Sequence, residues 1–175
     1  MADESATPTG GDVEAVMAAA RVLVAVSARS VAEVEDIVTL PQLRVLVMVA
    51  SRGPLNLAAV ARGLGVHSSN ATRACDRLVA AGLLDRRDDP ADRRNLQLDL
   101  TEEGRRLVDR VWDHRRAAIM DALGRMPAVE RAALIPVLRS FAAAAGEVDD
   151  EGMWAMGWTT GTYTYPGSRG ERPAS

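Results

Sequence analysis

The sequence has no lysine, a single cysteine and few aromatic residues, which make up 3% of the chain. One cysteine, Cys75, excludes an intramolecular disulfide. The scarcity of aromatic rings requires an aliphatic core of Leu, Val and Ala. No uninterrupted apolar run approaches twenty residues, so we expect no membrane span. The first eleven residues are polar and acidic and do not resemble a secretory signal, which predicts a cytoplasmic protein.

The charge of the chain gives a weak argument about partners. The formal net charge is −3, which slightly opposes nucleic-acid binding. The local arrangement of charge matters more than its sum, because salt screens interactions beyond roughly 10 Å. All 21 of the Lys and Arg residues are Arg, whose planar guanidinium binds phosphate and guanine edges through two parallel hydrogen bonds. A G+C-rich coding genome explains the absence of lysine equally well.

Hydrophobic spacing divides the chain into one helical domain with two extensions. We expect a disordered arm before it and a mostly disordered, aromatic-containing tail after it. Within the domain, a central lobe lies between the first helix and the last two. The predicted bounds are 1–11 for the arm, 12–146 for the domain, about 40–101 for the lobe, about 12–35 and 102–146 for the helices that flank it, and 147–175 for the tail.

The stretch from Leu57 to Thr101 carries the strongest fold signal. Two short helical patterns, about 58–64 and 68–81, meet at a Gly-containing turn. They are followed by a strand, a turn rich in Asp and Arg, and a second strand in which Leu96, Leu98 and Leu100 alternate with polar residues. This order predicts a winged helix-turn-helix, in a mainly α fold with a small β-hairpin wing.

The second helix of this pair has an apolar face and a polar face. The polar face combines short hydrogen-bonding side chains with two arginines, a set suited to base edges and phosphates. Arg73 is the side chain that we expect to contact a base, and the first-turn amides of the helix are candidates for a phosphate. A solvated helix face with ordinary caps explains the pattern equally well. The candidate DNA-binding residues of this helix are Ser68, Ser69, Asn70, Thr72, Arg73 and Arg77.

The predicted wing places arginines on a hairpin. Arg86 and Arg87 belong to its first strand, and Arg93 and Arg94 lie at its tip, where a narrow minor groove would attract them. Four aspartates stand among them, so a hairpin neutralised by local ion pairs is an alternative. A mixed interpretation fits best: Asp92 holds the turn and orients one arginine while another remains free for DNA.

These residues also carry a family resemblance. The run Asp89-Pro90-Ala91-Asp92-Arg93-Arg94, followed by Leu98, Leu100, Thr101 and Gly104, resembles the wing signature of MarR-family transcription regulators. The segments 64–66, 73–78 and 82–83 resemble the recognition-helix pattern of the same family. The resemblance covers about residues 13–145. Three positions depart from it. Ala58 stands where a Ser or Thr usually caps the third helix, and His67-Ser68 replaces Ser-Pro, so a serine should cap the fourth. Pro136 lies inside the sixth helix, which it should kink or shorten.

The resemblance implies a homodimeric repressor on a pseudo-palindromic operator in double-stranded DNA. The first, fifth and sixth helices, at about 12–35 and 102–146, would form the dimer, and the lobe at about 40–101 would bind DNA. Arg94 would enter the minor groove, with Arg93 as its substitute and Asp92 as its orienting partner. A small aromatic or phenolic ligand, bound between the dimer helices and the DNA-binding lobe, would release the DNA.

The remaining features predict no further chemistry. No catalytic, metal-ligating or phosphate-cradling pattern is present, so we expect neither an enzyme nor a cofactor. Cys75 lies on the inner face of its helix, where a small buried thiol is the ordinary outcome and redox sensing the rarer one. The aromatic tail supports an alternative function, a helical dimeric interaction module that docks partners through residues 147–175.

Overall fold

The computed structural model describes residues 7–88, 96–146 and 150–158. Seven helices and three short strands follow one another in these ranges. They are α1 (Gly10–Ala32), α2 (Leu40–Arg52), β1 (Leu55–Asn56), α3 (Leu57–Leu64), α4 (Ser68–Ala80), β2 (Leu84–Asp88), β3 (Leu96–Leu100), α5 (Glu102–Gly124), α6 (Ala128–Ala145) and α7 (Asp150–Ala155). The mainly helical fold with a small antiparallel sheet agrees with the prediction.

Helices α2, α3 and α4 pack into a three-helix unit around α2. The middle of α2, from Val45 to Val49, is buried on all sides. The side chain of Asn56 caps α3 by accepting a hydrogen bond from the amide of Ala59 at 2.8 Å. The expectation that α3 has lost its cap at Ala58 was therefore wrong, because the cap lies two residues earlier. Gly65 ends α3 with φ +65°, a left-handed conformation that glycine adopts without strain.

The three strands form one antiparallel sheet in the order β1–β3–β2. Leu84 pairs with Leu100 and Arg86 with Leu98, which makes β2 and β3 the hairpin of the wing. Leu98 and Leu100 are buried, as the alternation predicted, but Leu96 is 55% exposed. It was wrongly assigned to the buried face, because this end of the hairpin extends away from the helices that cover Leu98 and Leu100.

Helix α5 connects the wing to α1. Thr101 caps it by accepting a hydrogen bond from the amide of Gly104 at 3.0 Å, and also donates to the carbonyl of Gly82 at 2.6 Å. Gly104 lies against the carbonyl of Leu83, where any side chain would collide with backbone. The apolar face of α5, including Leu107, Val108 and Val111, is buried.

Helix α1 begins at Gly10 rather than at the predicted Asp12. Thr9 and Asp12 form a capping box, and these hydrogen bonds lower the pKa of the Asp12 carboxyl. By length and composition alone α1 could cross a membrane, since its most apolar 18-residue window has a mean hydropathy of 1.6 and only 17% of it is buried. The lack of an uninterrupted apolar run therefore does not by itself exclude a span, although α1 packs along α5.

Helix α6 makes the fewest internal contacts of the long helices. None of its described residues is buried, and its large apolar side chains point into solvent. Pro136 lies inside the helix without shortening it, because the carbonyl of Ala132 that loses its partner is on a solvated helix. The exposed apolar residues are Val129, Ile135, Val137, Leu138 and Phe141.

Candidate nucleic-acid interface

Helix α4 has one buried face and one polar face, as its spacing predicted. Ala71, Cys75 and Leu78 are fully buried against the core. The opposite face is exposed and presents five of the six predicted residues of this helix. This exposed set consists of Ser68, Ser69, Asn70, Arg73 and Arg77. The helix is therefore held by its apolar side and leaves a row of hydrogen-bonding groups accessible to a partner.

The first turn of α4 differs from the prediction in two details. His67 occupies the N-cap position and its side chain makes no capping hydrogen bond, so a serine cap was wrongly expected. The amide of Asn70 donates to the carbonyl of His67 at 2.9 Å, which leaves it unavailable for a phosphate. Thr72 is half-buried and its hydroxyl donates to the carbonyl of Ser68 at 2.8 Å. Thr72 therefore supports the helix more than it faces a partner.

Arg73 and Arg77 are the exposed cations of this face. Among the residues that the structure describes, neither forms an ion pair. Both line a groove of about 240 Å³ between α4 and the start of α2, together with Thr39 and Asn70. The positive end of the α2 dipole adds to the charge of the two guanidinium groups there. This groove is therefore a favourable location for an anionic group.

The first wing strand carries paired rather than free arginines. Arg86 forms an ion pair with Asp76 of α4, and Arg87 lies 2.9 Å from Asp99 of β3. These pairs tie the hairpin to the helix and across its own strands, through aspartates other than the four that stand among the wing arginines. The predicted tip residues Asp92, Arg93 and Arg94 lie outside the described residues, so their predicted roles stay untested.

Cys75 behaves as a buried structural thiol. It is fully buried between α4 and the core, and burial raises the pKa of the thiol to about 11. A thiol that stays protonated and shielded is a poor nucleophile. Within the described part of the chain, no group of three or more His, Cys, Asp or Glu side chains has a metal-binding arrangement.

A second polar cluster lies away from α4 and was missed by the sequence analysis. Arg115 of α5 is 1% exposed and donates to the Ser30 hydroxyl of α1 at 2.9 Å and to the carbonyls of Met156 and Gly157 at 3.1 and 3.2 Å. Its guanidinium carbon lies 4.2 Å from the ring centre of Trp158. A signal was available, because Arg115 falls seven residues after Val108 on the apolar face of α5.

The partners of Arg115 correct the expectation for the tail. Residues 150–158 are not disordered: they form α7 and a following turn, and Trp154 is 1% exposed in the core. The expectation was wrong because it gave more weight to the polar composition of the tail than to the large apolar area that the indole rings of Trp154 and Trp158 can bury. Residues 147–149 and 159–175 lie outside the described ranges.

The three-helix unit, the hairpin behind it and the polar face of α4 together define a winged helix-turn-helix protein. The sequence profile of the MarR family matches residues 38–95, which span α2 to the wing. The crystal structure of RV1404 from Mycobacterium tuberculosis is 41% identical, covers 83% of this chain and all of its own, and superposes with a TM-score of 0.68. The chain belongs to the MarR family of transcriptional regulators.

Further relatives agree with this assignment. The transcriptional regulator Tm0710 from Thermotoga maritima is 26% identical over 75% of this chain and 92% of its own, with a TM-score of 0.65. The HTH-type transcriptional regulator YkoM of Bacillus subtilis is 30% identical over 54% of this chain. YfiV of the same organism is 29% identical over 43% of it. The chain spans 62% of the length of YkoM and 47% of YfiV. All three of these relatives are named as transcriptional regulators.

Proposed function

We propose that this protein is a homodimeric, DNA-binding transcription regulator. The observation that carries the proposal is the polar face of α4, on which Arg73 and Arg77 are exposed without ion-pair partners among the described residues. A helix of this kind fits the major groove, where its early residues contact base edges. We assign a base contact to Arg73 and a phosphate contact to Arg77, whose position one turn later lies farther from the start of the helix.

The remaining predicted contacts follow the same geometry. Ser68, Ser69 and Asn70 begin α4 and would meet the phosphate backbone or base edges with their side chains. The wing would extend beside this helix and reach the neighbouring minor groove through Arg94 or Arg93, oriented by Asp92. The ion pair between Arg86 and Asp76 supports this arrangement, since it fixes the base of the hairpin against α4.

The homodimer is supported by α1 and α6. An 18-residue helix with no buried residue gains little from its own chain, whereas most helical stability in proteins comes from tertiary packing of an apolar face. Apolar side chains are exposed on α1 as well, and a cavity between the two helices is lined by Val13, Val16, Met17 and Phe141. A second copy of the chain would bury both surfaces, whereas a membrane would have to accept Glu14 and Arg21 within α1.

We further propose that a small aromatic or phenolic ligand releases the repression and that the protein acts in the cytoplasm. Both come from the behaviour of the family rather than from a bound molecule. The alternative function, docking of partners through the tail, loses its main support because Trp154 and Trp158 contact the chain's own core.

The proposal is tested by selecting binding sequences from a random duplex library and measuring affinity against salt. We expect a pseudo-palindromic site, with affinity that falls as salt rises. Arg73→Ala should weaken selected-site binding by about 5- to 100-fold and relax one base position, whereas Arg77→Ala should mainly reduce the salt slope, by about one. Arg110→Ala, which removes an exposed arginine of α5, is the matched control. Equal behaviour of the three variants would refute the assignment of α4, and a monomer in sedimentation would refute the dimer.

A further inference from the structure

The residues Gly152–Trp158, named here the C-terminal clamp, form a compact local structure. The carbonyl of Met153 accepts hydrogen bonds from the amides of Met156 at 3.1 Å and Trp158 at 2.9 Å, and the carbonyl of Trp154 accepts one from Gly157 at 2.9 Å. Gly157 has φ +68°, which reverses the chain after α7. These bonds hold the indole rings of Trp154 and Trp158, four residues apart in sequence, so that both pack against the helical domain.

Trp154 occupies a slot in the DNA-binding lobe. Its ring lies beside Gly63 of α3 and Met48 of α2, and a methyl group placed on Gly63 would approach the ring to 3.2 Å. The guanidinium carbon of Arg52, at the end of α2, lies 4.6 Å from the ring centre. The ring therefore joins α2 and α3 in one contact and completes the buried core, of which it is the largest side chain.

The other half of the clamp contacts the long helices. Trp158 packs edge-to-face on Trp112 of α5 with ring centres 5.1 Å apart, and lies over Arg115. Gly157 lies within reach of Val31 on α1 and Leu43 on α2. The carbonyls of Met156 and Gly157 accept hydrogen bonds from Arg115. The clamp therefore contacts α1 and α5 on one side and α2 and α3 on the other.

Arg115 depends on the clamp for its hydrogen bonds. Burial lowers the pKa of its guanidinium to about 10, and no described carboxylate pairs with it. Its acceptors are the Ser30 hydroxyl and the two clamp carbonyls. A buried charge with neutral acceptors is stable only while all of them stay in place. Loss of the clamp therefore changes the contact between α1 and α5 as well.

We propose that the C-terminal clamp is an internal strut that fixes the angle between the α1–α5 pair and the DNA-binding lobe, and so presets the position of α4 for DNA. This inference rests on the proposed function. A dimer with a preset spacing between its two recognition helices loses less conformational freedom on binding than one whose lobes swing. The chain's own C-terminal segment thus occupies the space between the DNA-binding lobe and the long helices.

Two independent measurements on the 175-residue chain test whether the C-terminal clamp acts as a strut. The first is amide hydrogen exchange: the amides of Met156, Gly157 and Trp158 should exchange at least about tenfold more slowly than in an unfolded peptide. Exchange at the unfolded rate would overturn the proposal. Trp154→Ala and Trp158→Ala should abolish this protection, whereas Met156→Ala, which removes an exposed side chain from the same segment, should retain it.

The second measurement is affinity for the selected DNA, taken with variants that circular dichroism shows to be folded. Trp158→Ala should lower affinity by about 3- to 10-fold, and Met156→Ala should not. Gly157→Ala, which strains the turn and leaves the core intact, serves if Trp154→Ala fails to fold. Lost protection with unchanged or higher affinity would overturn the strut. A wild-type chain that selects no DNA would refute the proposed function, and the exchange measurement would still report whether the clamp is docked.

Discussion

The guanidinium of Arg115 and the hydroxyl of Ser30, 85 residues apart in sequence, meet at 2.9 Å between Nη2 and Oγ. The same hydroxyl donates to the carbonyl of Ser27 at 2.7 Å and accepts a second bond from Nε of Arg115 at 3.2 Å. Ser30 is thus an acceptor for a buried cation and is held in place by its own helix. A small polar residue on a largely apolar helix here connects α1, α5 and the C-terminal clamp.

We therefore expect Ser30→Ala to destabilise the fold by about 1–3 kcal/mol, because it leaves buried N–H groups of a charged side chain without an acceptor. Ser27→Ala is the matched control. Ser27 is also buried on α1, but among the described residues its hydroxyl bonds only to the carbonyl of Leu23, so its removal should cost under about 1 kcal/mol. Urea unfolding followed by circular dichroism measures both, and equal losses would contradict the role given to Ser30.

A second prediction concerns the glycine in the first turn of α5. A Cβ on Gly104 would lie 2.0 Å from the carbonyl oxygen of Leu83, and this backbone cannot move without shifting the start of the wing. Gly104→Ala should therefore cost about 1–3 kcal/mol or more, as overpacking does. Gly124, at the other end of α5, has no neighbour within 4 Å of such a Cβ. Gly124→Ala should be neutral or stabilising by up to about 1 kcal/mol. Thermal unfolding would count against the argument if the two substitutions had similar effects.

A third prediction follows from the caps of the two helix-turn-helix helices. Asn56 caps α3 with its side chain, whereas the described residues provide no side-chain cap for α4. Asn56→Ala should cost about 1 kcal/mol and Asn56→Asp should preserve most of the stability. Ser68→Ala should leave stability within about 0.5 kcal/mol of wild type. A larger loss from Ser68→Ala than from Asn56→Ala, measured by urea unfolding, would restore the serine cap that the sequence suggested.

The order of the elements and the polar face of α4 could be predicted because both depend on local spacing. Amphipathic period, proline at the start of α2 and glycine after α3 are signals within a few residues of the structures they specify. The pattern that places Arg73 and Arg77 opposite Cys75 is of this kind. The position of the α3 cap shifted by two residues because Asn56 serves both as the end of β1 and as the N-cap.

The cluster around Arg115 could not be predicted for a different reason. Its contacts join residues 42 and 85 positions apart, and each partner is unremarkable in its own segment. Arg115 stands among other arginines on a charged helix, and Trp154 stands in a polar tail. Burying the Trp154 indole and giving the Arg115 guanidinium its hydrogen bonds become favourable only together. The C-terminal segment supplies the acceptor carbonyls, and α5 supplies the guanidinium that donates to them. Local pattern places Arg115 on the apolar face of α5 but does not identify its partners.

A last prediction uses the pH dependence of stability at Cys75. Burial raises the pKa of the folded thiol from 9.0 to about 11, so the folded state holds this proton more tightly than the unfolded state. The resulting stabilisation is complete below about pH 9 and is lost as the pH rises toward 11, by up to about 3 kcal/mol. Wild type should lose more stability than Cys75→Ala between pH 8.5 and roughly pH 10.5, when both are unfolded in urea under reducing conditions.

The difference between wild type and Cys75→Ala isolates the thiol, because all other titrating groups are shared. The variant should be less stable at pH 7 by about 1 kcal/mol, the cost of a small cavity. A thiol reagent at pH 8 should modify native Cys75 only as fast as the protein opens, and the rate should rise with added urea. Parallel pH curves for the two proteins, or rapid modification of the native chain, would show instead an accessible thiolate and would return oxidant sensing to consideration.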